Sequence, residues 1–428
     1  MKATCFIRFA ALHLLAISCG LNAADDRTNV VLIMADDIGY ECYGAYGGTS
    51  YPTPNIDRLA ASGIRFEHCY SQPLCTPSRV KIMTGKSNAR NYAAFSILKK
   101  NEKTFGHMMR DAGYRTAIAG KWQLYGAEHY KPAFRAKGAL PQDMGFERHC
   151  LWQVDKLGDR FWGPSVTIDG ELKEFGDEIY GPDVYCQFLI DRMEEFKDEA
   201  FFLYYPMVLV HSPFLPTPDS ADRKSKSKQK NFGDMVTYMD KLVGRIADKT
   251  VELGIAEKTL ILVTGDNGTH QSLKSKMENV TVKGGKGLPT DAGTRVALVA
   301  NQPGTIPEGV VTSRLVEFSD FLPTIADASG AKVPKDHDGV SFFSELHGKK
   351  SEARDPIYIY YWPRPESGKP IRFTRDQRWK LYGDGRLIDV KNDVFEKAAV
   401  SGNDEIRNRL QGVLDRMPEK GQTHLRYE

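Results

Sequence analysis

The sequence predicts an α/β protein: a three-layer sandwich around a large, mainly parallel sheet, followed by a small C-terminal antiparallel sheet plus helix. Three observations carry this. Short, nearly continuous apolar runs rich in β-formers lie at 29–34, 114–119, 201–210, 259–264 and 295–300. Segments with helical spacing, such as 103–112 and 232–253, separate them. Strands that are apolar on both faces require helices on both faces. Near residue 355 the composition shifts to a Tyr/Trp/Pro-rich tail.

Each apolar run ends on chemistry. The first leads into Asp36 and Asp37, the second into Lys121, the third into His211 and the fourth into Asp266-Asn267. Ligands of open parallel sheets gather beyond the carboxyl ends of the strands, so four strands are predicted to deliver charged groups to one rim. In the tail, 358–365, 378–382 and 388–390 read as strands, with a turn at 383–385 and a helix over 404–417. The division follows: 1–23 as a leader, 24–354 as the catalytic α/β domain and 355–428 as a C-terminal subdomain.

The N-terminal stretch has Lys2 and Arg8 ahead of an apolar run, then small residues to Ala24, the pattern of an export signal cleaved after Ala23. Cys19 offers the alternative of a lipid anchor. The expected location is secreted or periplasmic. No later segment of about 20 apolar residues predicts a transmembrane helix. Losing Lys2 and Arg8 takes the formal charge from +3 to +1, which argues against a general nucleic-acid binder. The Lys-rich stretch 223–230 reads as a solvated loop. Cleavage would leave Cys42, Cys69, Cys75, Cys150 and Cys186, an odd number, so at least one thiol stays unpaired within the monomer.

Asp36, Asp37, Asp266 and Asn267 offer only oxygen donors, suited to a hard cation such as Ca²⁺ or Mg²⁺. Each pair alone also fits a turn or helix cap. Asn267-Gly268-Thr269 spells a glycosylation acceptor, which an asparagine ligating a metal cannot serve. Cys75, four residues before Arg79, reads as either a structural thiol or an activated one.

Cys75-Thr76-Pro77-Ser78-Arg79 matches the Cys-x-Pro-x-Arg signature of the formylglycine-dependent sulfatases, arylsulfatase-like members of the alkaline phosphatase superfamily. Ala35-Asp36-Asp37, Gly120-Lys121-Trp122, His211-Ser212-Pro213, Thr264-Gly265-Asp266-Asn267-Gly268, Gly284-Gly285-Lys286-Gly287 and Trp379-Lys380-Leu381-Tyr382 resemble further family segments in the family's order. The resemblance implies hydrolysis of sulfate monoesters, on sulfated carbohydrates or aryl sulfates. It implies a formylglycine made from Cys75 by a maturation enzyme, with Asp36, Asp37, Asp266, Asn267 and the modified residue 75 around Ca²⁺. It further implies that Arg79 holds the nucleophile, that Lys121 and Lys286 hold sulfate oxygens, and that His211 protonates the leaving alkoxide. Where the family commonly has Gly-Lys-Trp-His, this chain has Gln123, which cannot take a proton at neutral pH. Gln123 is expected to orient the diol, with water, a metal-ligating carboxylate or His129 removing the proton. The rival readings are a phosphoester or phosphonate hydrolase on the same scaffold, and a non-catalytic glycan-binding protein using Trp152, Trp162 and Trp362.

Overall fold

The computed structural model describes residues 25–278, 280–349, 354, 356–364, 368–419 and 421. The expected leader at 1–23, with Cys19, and the boundary at 355 lie outside the described residues.

The strands, in chain order, are β1 (Asn29–Ala35), β2 (Ile64–Tyr70), β3 (Arg115–Lys121), β4 (Arg148–Trp152), β5 (Ser165–Ile168), β6 (Glu171–Glu174), β7 (Phe201–Pro206), β8 (Thr259–Gly265), β9 (Lys274–Met277), β10 (Val280–Lys283), β11 (Arg295–Val296), β12 (Leu298–Asn301), β13 (Val310–Glu317), β14 (Ile357–Tyr361), β15 (Ile371–Arg375), β16 (Trp379–Tyr382) and β17 (Leu387–Asp389). The main sheet runs β11-β2-β12-β8-β1-β7-β3-β4-β5-β6, with β13 also on β2. Its centre, β8-β1-β7-β3-β4, is parallel.

All seven residues of β1 are buried because both faces are covered. Val31 and Ile33 cluster with residues of helices Gly181–Phe196 and Lys228–Glu252. Val30, Leu32 and Met34 cluster with residues of helices Cys75–Thr84, Phe105–Asp111 and Phe321–Ser329. Successive side chains of a strand point to opposite faces, so one apolar run serves two cores. Each such side chain contributes about 1.5–3 kcal/mol on burial. The three-layer α/β fold is therefore as predicted.

Two runs differ from expectation. The run 201–210 stops being strand at Pro206, because the next residues bond to the end of β1: Met207 N donates to Met34 O at 2.9 Å and Val210 N to Asp36 O at 2.7 Å. The run 295–300 breaks at Ala297 into β11 and β12, and both lie antiparallel to β2.

The tail forms a four-stranded antiparallel sheet, β14-β15-β16-β17, against helix Asp404–Arg416. It has one more strand than predicted; β15 begins with exposed Ile371 and lacks a continuous apolar run. Buried charges fasten it to the main domain. Arg375 pairs with Asp291 and lies 3.9 Å over the Tyr70 ring. Lys380 pairs with Glu396 at 2.9 Å, and Glu396 accepts from Asp291 N at 2.9 Å. Tyr92 OH donates to Pro363 O at 2.9 Å.

Candidate active site

The site forms at the carboxyl ends of β1, β3 and β8. Asp36 and Asp37 follow β1, and Asp37 has a left-handed backbone, φ 63°. Lys121 closes β3 after Gly120, where φ is +123° and a Cβ would lie 2.1 Å from Pro206 O, so only glycine lets β3 pass β7 this closely. Asp266 and Asn267 follow β8.

Cys75 opens helix Cys75–Thr84, whose ten residues are all buried. Pro77 sits in the first turn, where no backbone N–H is needed for the helix. Arg79 is one turn beyond Cys75, on the same helix face. The spacing Cys-x-Pro-x-Arg is thus a helix start that aims a small side chain and a guanidinium in one direction.

The carboxylates interlock with cations. Lys121 Nζ meets Asp36 Oδ2 at 2.8 Å. Arg79 Nη2 meets Asp266 Oδ2 at 3.3 Å, and Nη1 donates to Lys121 O at 3.0 Å. Lys286 Nζ is 2.5 Å from Asp37 Oδ2 and 3.0 Å from His211 Nε2. Asn267 Nδ2 donates to Asp37 Oδ1 at 2.9 Å, and Asp37 N donates to Asp266 Oδ1 at 3.0 Å. Cys75 Sγ lies 3.5 Å from Gln123 Oε1. The structure thus gathers Asp36, Asp37, Cys75, Arg79, Lys121, Gln123, His211, Asp266, Asn267 and Lys286 in one pit. His129 stands apart, exposed, with Nε2 3.2 Å from Gln153 Nε2.

The electrostatics are those of a crowded anionic floor. Burial opposes ionisation of Asp36 and Asp37, but Lys121 and His211 beside Asp36, and His211 and Lys286 beside Asp37, hold both below the usual carboxylate range. Asp266, buried and facing Asp36, is pushed well above it. Burial pushes the His211 imidazole down to about 4, despite Asp37 and Asp36. Burial pushes the Cys75 thiol up, so an unmodified Cys75 is a neutral thiol and a poor nucleophile.

A divalent metal fits these residues. Asp36, Cys75 and Asp266 each offer a ligand atom within 4.8 Å of the others. The oxygens Asp36 Oδ1 and Asn267 Oδ1 are buried without a hydrogen-bond partner. Such acceptors are costly to leave unsatisfied, and a hard cation satisfies both. The positive charge would also oppose the upward push that burial and Asp36 exert on Asp266.

Three features were missed in the sequence. Arg160 Nη2 lies 3.0 Å from His211 Nδ1, and its guanidinium stacks 4.3 Å over Trp152. Trp152 is only 4% exposed, so it supports Arg160 and offers no open face to a glycan. Tyr130 OH accepts from Gln123 Nε2 at 3.2 Å and from Gln153 Nε2 at 3.1 Å, holding the Gln123 amide. Above the pit opens a cavity of about 400 Å³ that reaches Pro363 and Arg364 of the tail. No spacing in the sequence links these segments to Cys75.

The chain belongs to the sulfatase family: the family's model matches residues 28–331, and a model described as N-sulphoglucosamine sulphohydrolase, C-terminal, matches 286–421. It is a sulfuric ester hydrolase of the alkaline phosphatase-like superfamily. Among particular relatives, human arylsulfatase A is 32% identical over 406 residues, covering 86% of this chain and 77% of the relative. The solved structure of Ps i-CgsB superposes with a TM-score of 0.76 at 24% identity, covering 91% of this chain and 92% of that one. Phosphonate monoester hydrolase of Agrobacterium radiobacter shares the fold with a TM-score of 0.69 at 19% identity, covering 91% and 94%. Membership implies sulfate ester hydrolysis with a divalent metal and a formylglycine.

Proposed function

We propose that this chain hydrolyses sulfate monoesters of carbohydrates, using a formylglycine produced from Cys75 and Ca²⁺ held by Asp36, Asp37, Asp266, Asn267 and residue 75. The observation that carries the reading is the position of Cys75: a buried, neutral thiol at a helix start, beside orphaned oxygens and within reach of Gln123. A matured residue 75 supplies an oxygen nucleophile where Cys75 Sγ lies, and the metal supplies positive charge beside it.

The chain's own residues have separable tasks. Arg79, fixed by Lys121 O and Asp266, holds the residue-75 side chain toward the floor. Lys121 and Lys286 hold sulfate oxygens and offset the ester's charge. His211, with Nε2 facing the cavity 3.0 Å from Lys286 Nζ, gives the departing alkoxide a proton that this ammonium supplies. Gln123 orients the nucleophile through hydrogen bonds and moves no proton. Release of inorganic sulfate needs one proton taken from the residue-75 side chain, and since Gln123 cannot take it, water or a carboxylate of the metal site would.

Carbohydrate is favoured over simple aryl substrates by the match of the tail to a sulphoglucosamine hydrolase C-terminal model. We assign 24–354 to catalysis and 355–428 to a subdomain walling the cavity, with export directed by 1–23. Among the described residues no helix is long and apolar enough to cross a membrane. The likeness to a phosphonate monoester hydrolase supports a second reading, phosphoester or phosphonate hydrolysis on this site. Two measurements decide. Peptide mass spectrometry after co-expression with a formylglycine-generating enzyme should show an aldehyde at residue 75; an unmodified cysteine rejects the nucleophile. Initial rates on matched sulfate and phosphate esters should favour sulfate; preference for phosphate installs the second reading.

A further inference from the structure

The Lys-rich stretch 223–230 runs into helix Lys228–Glu252, whose first turn carries Lys228 and Lys230 and no acidic residue. Cations there face the positive end of the helix dipole, an unfavourable arrangement. A second one lies beside it. In the hairpin β9-β10, Lys274 stands directly opposite Lys283, and Lys276 opposite Thr281. Residues so paired share a face, and like charges directly opposite repel. These four are exposed, whereas Ser275 and Val282 on the other face are buried. Gln229 joins the two elements: its Nε2 donates to Lys274 O at 3.0 Å, and its Oε1 accepts from Lys274 N at 3.1 Å.

Among the described residues, Lys228, Lys274, Lys276 and Lys283 have no acidic side chain in salt-bridge contact. Lys230 has Asp222 at 3.9 Å, with both side chains about half exposed. A groove of about 820 Å³ runs between the helix start and the hairpin, lined by Tyr51, Lys230, Lys274, Lys276 and Thr281. Its one acidic lining residue, Asp234, accepts from Ser220 Oγ at 2.6 Å. Glu278 lies in the hairpin turn. Two neighbouring elements thus carry cations that their own fold disfavours, and an anionic partner turns both costs into attractions.

The hairpin is also tied to the pit. It is inserted between Asn267 and Lys286, with Gly284 N donating to Leu273 O at 3.0 Å and Lys286 N to Thr269 O at 3.0 Å. Lys283 is three residues from Lys286, at most about 11 Å of chain. Burial lowers the pKa of His270, and the charges felt there are Asp37 and Lys286 of the pit and Lys228 of the helix.

We infer that this lysine face docks a sulfated polysaccharide, holding the polymer beside the pit while one of its rings enters. A face that binds a bilayer sets apolar and aromatic side chains among its cations. Here the exposed face of the hairpin adds only Thr281 to its lysines. The choice of a sulfated polymer rests on the sulfatase reading; the docking face lies outside the residues assigned to catalysis.

The test measures binding of dextran sulfate at physiological salt to the full chain and to two variants. One is Lys228→Gln/Lys274→Gln/Lys276→Gln/Lys283→Gln; the control is Lys173→Gln/Lys197→Gln/Lys335→Gln/Lys391→Gln, four exposed lysines on other segments. The first should bind roughly tenfold or more weakly, the summed scale of several exposed ion pairs, and the control within about twofold of wild type. The first variant's Tm should hold or rise, because the Lys274–Lys283 repulsion is gone, and its kcat/KM on a small aryl sulfate should match wild type. Equal weakening in both variants overturns the inference, as does a Tm that falls along with binding, which would show that these lysines serve the fold. Binding to phosphatidylglycerol vesicles that the same four substitutions abolish, with dextran sulfate binding unchanged, assigns the face to a membrane and overturns it too. A matured enzyme that turns over no sulfate ester rejects the sulfatase reading, and weakened dextran sulfate binding by the first variant would stand without it.

Discussion

Replacing Gln123 by Leu separates orientation from proton transfer at the nucleophile. In this structure Gln123 makes one contact to residue 75, Oε1 to Cys75 Sγ at 3.5 Å, and one to its own support, Nε2 to Tyr130 OH at 3.2 Å. Cys75 Sγ stands where an oxygen of the matured residue would sit. A neutral hydrogen bond contributes about 0.5–1.5 kcal/mol net, and about 1.4 kcal/mol is a factor of ten. The Leu variant should therefore lose between about twofold and about tenfold in kcat/KM. A residue that moved the proton would cost about 10²–10⁴-fold. Steady-state and burst-phase kinetics on an aryl sulfate read the difference, after mass spectrometry shows equal formylglycine content. A loss beyond about a hundredfold refutes the purely orienting role. Tyr130→Phe should reproduce part of the loss, because it removes the hydroxyl that holds the amide.

Three further outcomes are expected. His211→Ala should cost about 10²–10⁴-fold in kcat/KM on alkyl sulfates and much less on aryl sulfates with good leaving groups; equal losses on both would remove its role as the acid. Glu317→Gln should destabilise by about 3–5 kcal/mol in urea, because it strips a carboxylate from buried Lys81, 2.6 Å away. Lys81→Met should cost less, about 1–3 kcal/mol, since Glu317 keeps Arg354 at 3.3 Å and Ser319 N at 3.0 Å; the reverse order would contradict the charge count. Burial, with Arg295 and Arg375 nearby, lowers the His68 pKa from 6.5 to about 4, so the unfolded chain binds the extra proton first as pH falls. Stability should drop by about 3 kcal/mol between pH 6.5 and 4, and His68→Asn should flatten that slope in denaturant melts.

What the sequence reveals here depends on whether a segment is read by one layer or by several. β1, β3, β7 and β8 are continuous apolar runs because helices cover both their faces, and they stand out by composition alone. β2 and β13 are also in the main sheet, but Arg65 and Glu67 in the first and the polar run Thr312-Ser313-Arg314 in the second break any continuous apolar run. Helix Cys75–Thr84 has no apolar stripe to detect, since even Lys81 is buried against Glu317. The charged pit was legible because its residues follow directly from strand ends. Arg160, Lys131 and Arg364 were not, because their positions depend on loops far apart in sequence meeting over the pit.

The buried ion pairs beneath the tail sheet limit how this enzyme can exchange its substrate. Swinging the tail aside would uncover Arg375 and Lys380, both with side chains 0% exposed, and separate Arg375 from Asp291. Opening a hinge there would unmake the Arg375–Asp291 pair and the packing of Arg375 over Tyr70 together, which favours the closed position. The wall bearing Arg364 therefore behaves as masonry and not as a door. Exchange of reactant and product is then left to the loops on the other side of the cavity, which carry Phe95, Tyr130 and Phe134.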